Sequence, residues 1–240
     1  MTWSIVARDP ATGSVGVGVA TRFLAAGGLC ANARSGVGAL STQALINPTY
    51  GPRGLALLAE GATSAEAVRR LVSEDAGRET RQVHIVDAQG RASAHTGSQC
   101  VPWSGHVSAP GVSVAGNMLA GPEVAEATLS AYQAGAALAF ADRLLSALEA
   151  GQAAGGDKRG QQSACLLVYG TEDYPDLSLR VDDHATPLTE LRRIYALWLG
   201  RFAAFRSFMA TKADPVGVFD REVIEAEAQR RERALGLRGD

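Results

Sequence analysis

The amino-acid sequence predicts a mixed α+β domain in which helices cover antiparallel sheets, followed by a helical C-terminal extension. Strand patterns precede a pair of helical patterns and return after them, without the steady alternation that is typical of a doubly wound parallel sheet. A long stripe of apolar residues at helical spacing then follows from residue 186. We therefore expect a domain over residues 1–185 and an extension over residues 186–240.

The first two strands are expected to pair as a hairpin. Residues 2–7 are rich in β-forming residues, and the turn-forming sequence DPATG follows at residues 9–13. In residues 14–21, three valines alternate with Gly16, Gly18 and an alanine, so one face of this strand carries almost no side chains. A bare face indicates that a second sheet or a ligand comes close to it.

The middle of the chain contains the clearest helix. Thr63 and Glu66 have the spacing of a capping box, and a helical stripe continues from there almost to Gly77. Another helical region precedes it at residues 51–60. Further strands are predicted at residues 36–44, 82–87, 91–96 and 112–117.

Two helices and two strands complete the predicted domain. Pro122 suits the first position of a helix. The next helix has an apolar stripe made of Leu138, Ala141, Leu145 and Leu148. The last two strands are expected at residues 163–169 and 177–181, of which the first has the continuous apolar run of a buried strand.

The extension begins at Thr186-Pro187, a favourable pair for an N-cap and a first helical turn. Its apolar residues step by three and four positions, as in the seam of a helix that packs along another helix. They are Leu188, Leu191, Tyr195, Trp198, Phe202, Phe205 and Met209. We expect this seam to be buried either on the chain's own domain or in a homodimer. Residues 220–233 are charged on almost all sides, which indicates a solvated surface helix.

Composition and charge argue against several classes of function. A net charge of −2 creates no field that would attract nucleic acid or an anionic membrane, so a small-molecule or peptide substrate is the expected partner. The sequence opens without a signal-peptide pattern and has no apolar run of membrane-spanning length, which predicts a cytoplasmic protein. Three widely separated cysteines indicate neither a disulfide framework nor a structural zinc site.

Several separate blocks of the sequence point to one protein family. In order they read TWSIVARDPATGSVGVGVATRFLA, GRETRQVHIVDAQGRASAHTG, GNMLAG, GDKRGQQSACLLVYG and LRVDDH. Together they resemble an uncharacterised bacterial and archaeal family assigned to the N-terminal-nucleophile (Ntn) hydrolases, over roughly residues 1–184. The resemblance implies a four-layer αββα sandwich, with two antiparallel sheets between two helical layers, and leaves the substrate open.

The same resemblance implies a catalytic role for Thr2. Ntn hydrolases use the Thr, Ser or Cys that begins the mature chain, at the start of the first strand, and its free α-amine is the general base. A model α-amine has a pKa of about 7.7–8.0, so it can accept the hydroxyl proton near working pH. This chemistry requires removal of Met1, which we expect because threonine is small. Ser4 is the second candidate nucleophile, although no free amine lies beside it.

Other polar residues at strand ends are candidates to support Thr2. Arg22, at the open end of the first hairpin, could lower the pKa of the amine or hold a carboxylate. Asn117 could donate a hydrogen bond to the oxyanion that forms during acyl transfer. Candidate substrate-binding residues are Ser41, Thr42, Gln43, Asp157 and Arg159. All of these also have ordinary structural explanations, as strand-end polar groups or as a loop ion pair.

Motifs for cofactors are weak, so we expect no metal and no organic cofactor. The glycines at positions 16 and 18 lie inside a strand pattern with no following helix to receive a pyrophosphate. Residues 155–163 lack the spacing of a P-loop. Adjacent residues of an extended Asp182-Asp183-His184 segment point to opposite sides, which leaves too few ligands for a metal.

The sequence therefore predicts an amidohydrolase that acts through Thr2 on a small or peptidic substrate. One alternative is a non-catalytic protein that binds a small molecule on the same scaffold. Another is a structural protein that forms oligomers through the seam from Leu188 to Met209.

Overall fold

The structure is a computed structural model that describes residues 2–237, and the chain divides into two units. The first unit extends to Leu188 and the second begins at Thr189. Two sheets and their covering helices make up the first unit, whereas the second is helical.

Two antiparallel sheets form the centre of the first unit. In spatial order, the larger sheet contains β10 (Leu177–Val181), β9 (Ser163–Tyr169), β2 (Val15–Thr21), β1 (Thr2–Arg8), β8 (Val112–Asn117) and β7 (Ser104–Ala109). The smaller sheet contains β3 (Ala31–Arg34), β4 (Gly38–Ala44), β5 (Arg81–Asp87) and β6 (Ala92–Thr96). The strand β1, which carries Thr2, is therefore paired on both sides.

Helices cover the outer face of each sheet. A single turn, α1 (Gly27–Cys30), connects β2 to β3. The helices α2 (Tyr50–Ala59) and α3 (Ser64–Ser73) pack on the smaller sheet, and α4 (Glu123–Ala134) and α5 (Phe140–Ala153) pack on the larger one. The inner faces of the sheets meet through β1 and β8 on one side and β4 and β5 on the other. The predicted four-layer αββα sandwich of two antiparallel sheets is confirmed.

Successive side chains of β1 lie in two different environments, one between the sheets and one beneath the covering helix α5. The side chains of Ser4 and Val6 point toward the smaller sheet, whereas Ile5 points toward the helix α5, because successive strand residues face opposite sides. The space between the sheets is apolar where Val6 and Val86 belong to one buried cluster. It is polar near Ser4, whose hydroxyl bonds to Gln43 across the two sheets. This polar end is also the end at which β1 begins.

The bare face of β2 receives a helix rather than a ligand or a second sheet. A Cβ atom placed on Gly16 would lie 2.8 Å from Leu144 Cδ1, and one placed on Gly18 would lie 2.9 Å from Leu148 Cδ1. Both leucines belong to α5 and are fully buried. The glycines therefore allow α5 to pack closely on the centre of the larger sheet.

Most predicted elements of the first unit are confirmed, and the exceptions are short or exposed. The sequence patterns did not predict α1, β3 or β7. Each is brief or has a mixed burial pattern, so the periodicity is weak. Leu138 was wrongly included in the stripe of α5, because it precedes the helix and is exposed, whereas Leu145 and Leu148 are buried as predicted.

The seam of the extension lies on three helical segments instead of one continuous helix. These are α6 (Pro187–Leu197), a π-helical turn (Trp198–Phe202) and α7 (Ala203–Phe208). The extra residue per turn in the π-helical segment rotates the stripe. Leu191 and Tyr195, which precede this turn, are buried, whereas Phe202, Phe205 and Met209, from its end onward, are exposed.

The last helix, α8 (Arg221–Ala234), is less solvated than its composition predicts. Arg201 lies 2.7 Å from a carboxylate oxygen of Glu225 and 3.1 Å from one of Glu232, and Ala228 is fully buried. The helix therefore packs against the preceding segments of its own unit. Over residues 2–237, no helix combines the length and the apolar character that crossing a membrane requires.

Candidate active site

Thr2 is the first residue of β1, and its side chain lines a small cavity. The residue is only 6% exposed and is paired with Thr21 of β2 and with Asn117 of β8. Its hydroxyl donates to the hydroxyl oxygen of Thr21 at 3.1 Å. The cavity has a volume of about 60 Å³. It is lined by Thr2, Phe23, Ala26, Leu29, Cys30, Gln43, Ala44 and Ile46.

Two side-chain amides hold the backbone carbonyl of Thr2. Gln43 Nε2 donates to this oxygen at 3.2 Å, and Asn117 Nδ2 donates to it at 3.4 Å. Both amides also donate to Gln82 Oε1, at 2.8 and 3.0 Å. Because these three side chains are buried and contact one another, they fix the position of the residue that carries the hydroxyl.

The orientation of this network decides which way the Ser4 proton points. Gln43 Nε2 donates to three oxygen atoms, so its Oε1 is the acceptor that faces Ser4, at 2.6 Å from the Ser4 hydroxyl. His84 Nε2 lies 2.7 Å from the same hydroxyl and must then be the donor. The Ser4 hydroxyl therefore donates its hydrogen to the amide oxygen of Gln43, and His84 directs an N–H, not a lone pair, at the Ser4 oxygen. This arrangement disfavours Ser4 as a nucleophile.

His84 itself is held in its neutral form. Complete burial, with a smaller contribution from the charge of His106, lowers the pKa of His84 to about 3. A neutral imidazole inside the sandwich is consistent with its role as a hydrogen-bond donor to Ser4. It therefore contributes to the structure of the polar end rather than to proton transfer at Thr2.

Backbone strain is concentrated around the cavity. Among residues 2–237, the non-glycine residues with positive φ are Ala25 (51°), Ala44 (69°) and Met118 (55°). Ala44 lines the cavity, Ala25 precedes the lining residue Ala26, and Met118 directly follows Asn117. Such conformations cost of order 1–3 kcal/mol each and cluster at functional sites. Their common location marks this end of the sandwich as the candidate active site.

The predicted Asp157 and Arg159 form the support of a neighbouring loop. Asp157 is buried, and its carboxylate accepts from the backbone N–H of Arg22 at 2.8 Å and from Arg159 Nη2 at 3.2 Å. The guanidinium of Arg22 donates to the carbonyl oxygen of Arg159 at 2.9 Å. The side chain of Arg22 is therefore directed toward that loop. Its hydrogen bonds position the segment that follows Thr21.

The predicted residues of β4 separate into two groups. Gln43 lines the cavity, and Ser41 is buried behind it, with its hydroxyl 3.2 Å from Gln43 Oε1. Thr42 points to the opposite face, where its hydroxyl donates to the carbonyl of Asn47 at 3.1 Å. The two-residue period of a strand explains why only alternate members of this trio can reach the cavity.

The apolar lining was not predicted as part of the site. Phe23, Ala26, Leu29 and Cys30 come from the segment that follows β2, and no motif distinguishes them in the sequence. Burial raises the pKa of the Cys30 thiol to about 12, so this cysteine is not a thiolate at neutral pH.

Asp182, Asp183 and His184 each have a hydrogen-bond partner. Arg180 binds Asp182 at 2.9 Å, and the backbone N–H of Thr186 donates to His184 Nδ1 at 3.0 Å. Gln162 Nε2 donates to Asp183 at 3.1 Å. Within the described part of the chain, no three His, Cys, Asp or Glu side chains are grouped as a metal site.

Comparison with known proteins identifies the family. A crystal structure of a Silicibacter pomeroyi protein assigned to the family DUF1028 has 32% identity and a TM-score of 0.85, covering 91% of this chain and 99% of that one. Anbu, an ancestral β-subunit from Yersinia bercovieri, has 11% identity and a TM-score of 0.38, which is too low to establish a shared fold. The alignment covers 82% of this chain and 94% of Anbu. The sequence matches no curated protein. The model of the family of unknown function DUF1028 matches residues 2–191, and the chain therefore belongs to that family.

Proposed function

We propose that the chain is an amide-bond hydrolase of the N-terminal-nucleophile type, with Thr2 as its nucleophile. One observation carries the proposal. Thr2 begins a central strand, is almost completely buried, and still presents its side chain to a cavity. The nearby positive-φ residues support it, since strained backbone is retained where function requires a defined geometry.

The reaction would proceed through an acyl-enzyme. Thr2 Oγ1 attacks the carbonyl carbon of the substrate while its proton passes to the Thr2 α-amine, which gives a tetrahedral oxyanion. The C–N bond then breaks, and the leaving nitrogen takes the proton from the ammonium group. A water molecule attacks the resulting ester, transfers its proton through the amine, and releases a carboxylic acid and the free hydroxyl. No cofactor is required for this sequence of steps.

The surrounding residues would position the nucleophile. Thr21 accepts the hydrogen bond of the Thr2 hydroxyl in the resting state, while Gln43 and Asn117 hold the Thr2 carbonyl. Both N–H groups of the Asn117 amide are used, on Thr2 and on Gln82. We therefore propose that Asn117 positions Thr2, and that it could serve as an oxyanion donor only after releasing one of these bonds.

The proposal requires that Thr2 become the first residue of the mature chain. Intact mass spectrometry of the purified protein is the first test, because a fully retained Met1 would leave the amine acylated and unable to act as a base. Expression as a fusion that is cleaved to expose Thr2 gives a defined sample for the second test.

The second test labels the nucleophile. A β-lactone, an electrophile that acylates a reactive hydroxyl, should add one mass equivalent to the chain that begins at Thr2, and peptide mapping should place it on that residue. Thr2→Ala should abolish the label, whereas Thr12→Ala, at an exposed turn hydroxyl, should keep it. A label on Ser4, or equal labelling of the Thr2→Ala variant, would contradict the proposed nucleophile.

The mainly apolar cavity also suits a binding protein without catalysis, as is common for small-molecule sites. Under that alternative, Thr2→Ala would leave ligand affinity unchanged and no substrate would be turned over.

A further inference from the structure

The first unit exposes few large apolar side chains, and two of them, Phe23 and Leu29, line the Thr2 cavity. Within its described residues the exposed large apolar side chains are Phe23, Leu24, Leu29, Leu45, Val101 and Leu138. Four of these lie on the two segments that line the cavity, at residues 23–30 and 43–46. We call Phe23 and Leu29, which line the cavity and are 58% and 49% exposed, the apolar rim. Single exposed apolar residues are normal, but a concentration beside a cavity indicates a binding surface.

The interior of the cavity has the same character as the rim. Of its eight lining residues only Thr2 and Gln43 are polar, and none is charged. The nearest arginine in the sequence, Arg22, is hydrogen-bonded to the loop carbonyl of Arg159. The Thr2 α-amine acts as a base only in its neutral form, and no lining side chain is charged, so a charged group at the far end of the acyl chain would lose its hydration without gaining a partner of opposite charge. The site therefore selects against ionised groups.

The acyl part of a substrate is the part that must fit this lining. After the amine leaves, the acyl group stays bonded to Thr2 Oγ1 until water releases it. A cavity of about 60 Å³ has room for a short aliphatic group only, since it is less than half the size of an engineered apolar cavity of about 150 Å³ that binds benzene in another protein. A longer chain would continue from the cavity onto the apolar rim.

Resting on the proposed function, we infer that the Thr2 site takes amides whose acyl group is an uncharged aliphatic chain. The observation behind this inference is the uncharged cavity lining together with the exposed apolar rim. Acyl groups that end in a carboxylate are correspondingly poor substrates.

The test compares substrates that differ only at the end of the acyl chain. Hexanoyl p-nitroanilide and adipoyl mono-p-nitroanilide have six-carbon acyl chains that end in a methyl group or a carboxylate. For the chain beginning at Thr2, we expect kcat/KM to be at least tenfold higher for the hexanoyl compound. From butanoyl to hexanoyl, kcat/KM should rise about fourfold per methylene, which corresponds to about 0.8 kcal/mol for each buried CH₂.

A matched pair of variants tests whether the apolar rim causes the preference for an uncharged acyl chain. Leu29→Asp places a carboxylate on the rim, at a side chain that lines the cavity and is 49% exposed. Leu138→Asp makes the same change at a 43% exposed leucine that does not line the cavity. The preference for hexanoyl over adipoyl should fall at least threefold in Leu29→Asp and stay constant in Leu138→Asp. Equal effects of the two changes would overturn the assignment of the rim.

Binding to the Thr2→Ala variant separates this inference from the proposed hydrolysis. Calorimetry would compare hexanamide with adipamic acid, its carboxylated analogue. Equal turnover of both anilides overturns the inference and leaves the hydrolase proposal standing. Absence of turnover, with selective binding of hexanamide that Leu29→Asp weakens, supports the inferred ligand class and refutes hydrolysis. Absence of both turnover and selective binding refutes both.

Discussion

Acid should destabilise this protein partly through one buried histidine, His84. The imidazole is fully buried, donates to Ser4 at 2.7 Å, and has its pKa lowered to about 3, mainly by burial. The unfolded chain binds a proton at this histidine below about pH 6.5, whereas the folded chain does not do so until about pH 3. Stability is therefore lost as the pH falls through the window from 6.5 to 3, and the loss from this residue is complete below it.

The size of the effect follows from the width of that window. Each pH unit within it costs about 1.4 kcal/mol of unfolding free energy, so a change from pH 6.5 to pH 4 costs about 3 kcal/mol. Carboxylates contribute in the same direction. Asp75, for example, has its pKa held well below the usual value by a hydrogen bond from Asn47 and by further donors. A comparison with a variant is needed to isolate His84.

The assay is urea unfolding between pH 7 and pH 4 for the wild type and for His84→Gln. Glutamine can still donate to Ser4 but does not titrate, so the variant should lose about 3 kcal/mol less than the wild type between pH 6.5 and pH 4. His184→Gln, at an exposed position, controls for the loss of one histidine. If the unfolding free energies of the wild type and of His84→Gln fell by the same amount with pH, the assigned effect of burial on the pKa of His84 would be refuted.

Three further changes test the packing. Gly18→Ala places a methyl group 2.9 Å from Leu148 Cδ1, and it should lower the unfolding free energy by about 1–3 kcal/mol in urea titrations; an unchanged midpoint would contradict the close packing of α5. Thr63→Ala removes the hydroxyl that accepts from the backbone of Glu66 and should cost about 1 kcal/mol by the same measurement, whereas a cost near zero would show that the cap is dispensable. Phe202→Asp changes a half-exposed residue of the C-terminal seam, for which a homodimer is one of the two expected modes of burial. If the seam forms a dimer, the variant should be a monomer in light scattering, and an unaltered mass would exclude that surface.

The strands and helices of the layered fold could be predicted because the spacing of apolar residues in the sequence matches the residues that are buried in the structure. The strand at residues 112–117 has the predicted bounds, and the capping box of Thr63 and Glu66 starts α3 as expected. Periodicity could not show which faces meet, so the bare face of β2 was expected to receive a second sheet or a ligand, whereas it receives the helix α5. It also could not show the π-helical turn at Trp198–Phe202, because a regular spacing of three and four residues assumes an uninterrupted helix.

Residues of the candidate site could be predicted from two sources, the family resemblance and the position of polar residues at strand ends. That resemblance indicated Thr2, and strand-end position added Gln43 and Asn117. The apolar lining, including Cys30 and Ile46, is ordinary in composition and becomes a site only through the pairing of distant strands. The partners of a buried amide cannot be inferred from its position in the chain, so the role of Gln43 in holding the Thr2 carbonyl required the three-dimensional structure.

The polar residues between the two sheets influence how the sheets are aligned with each other. If one sheet slid two residues along the other, Val6 would take the place of Ser4, and Gln43 would lose the donor to its oxygen, at a cost of about 1–3 kcal/mol for each unmet group. The apolar end imposes no such penalty, because one aliphatic contact there can substitute for another. The hydrogen bond between Ser4 and Gln43 therefore favours the offset that also brings Gln43 to the carbonyl of Thr2. A substitution that breaks this pairing should both destabilise the core and displace the Thr2 hydroxyl.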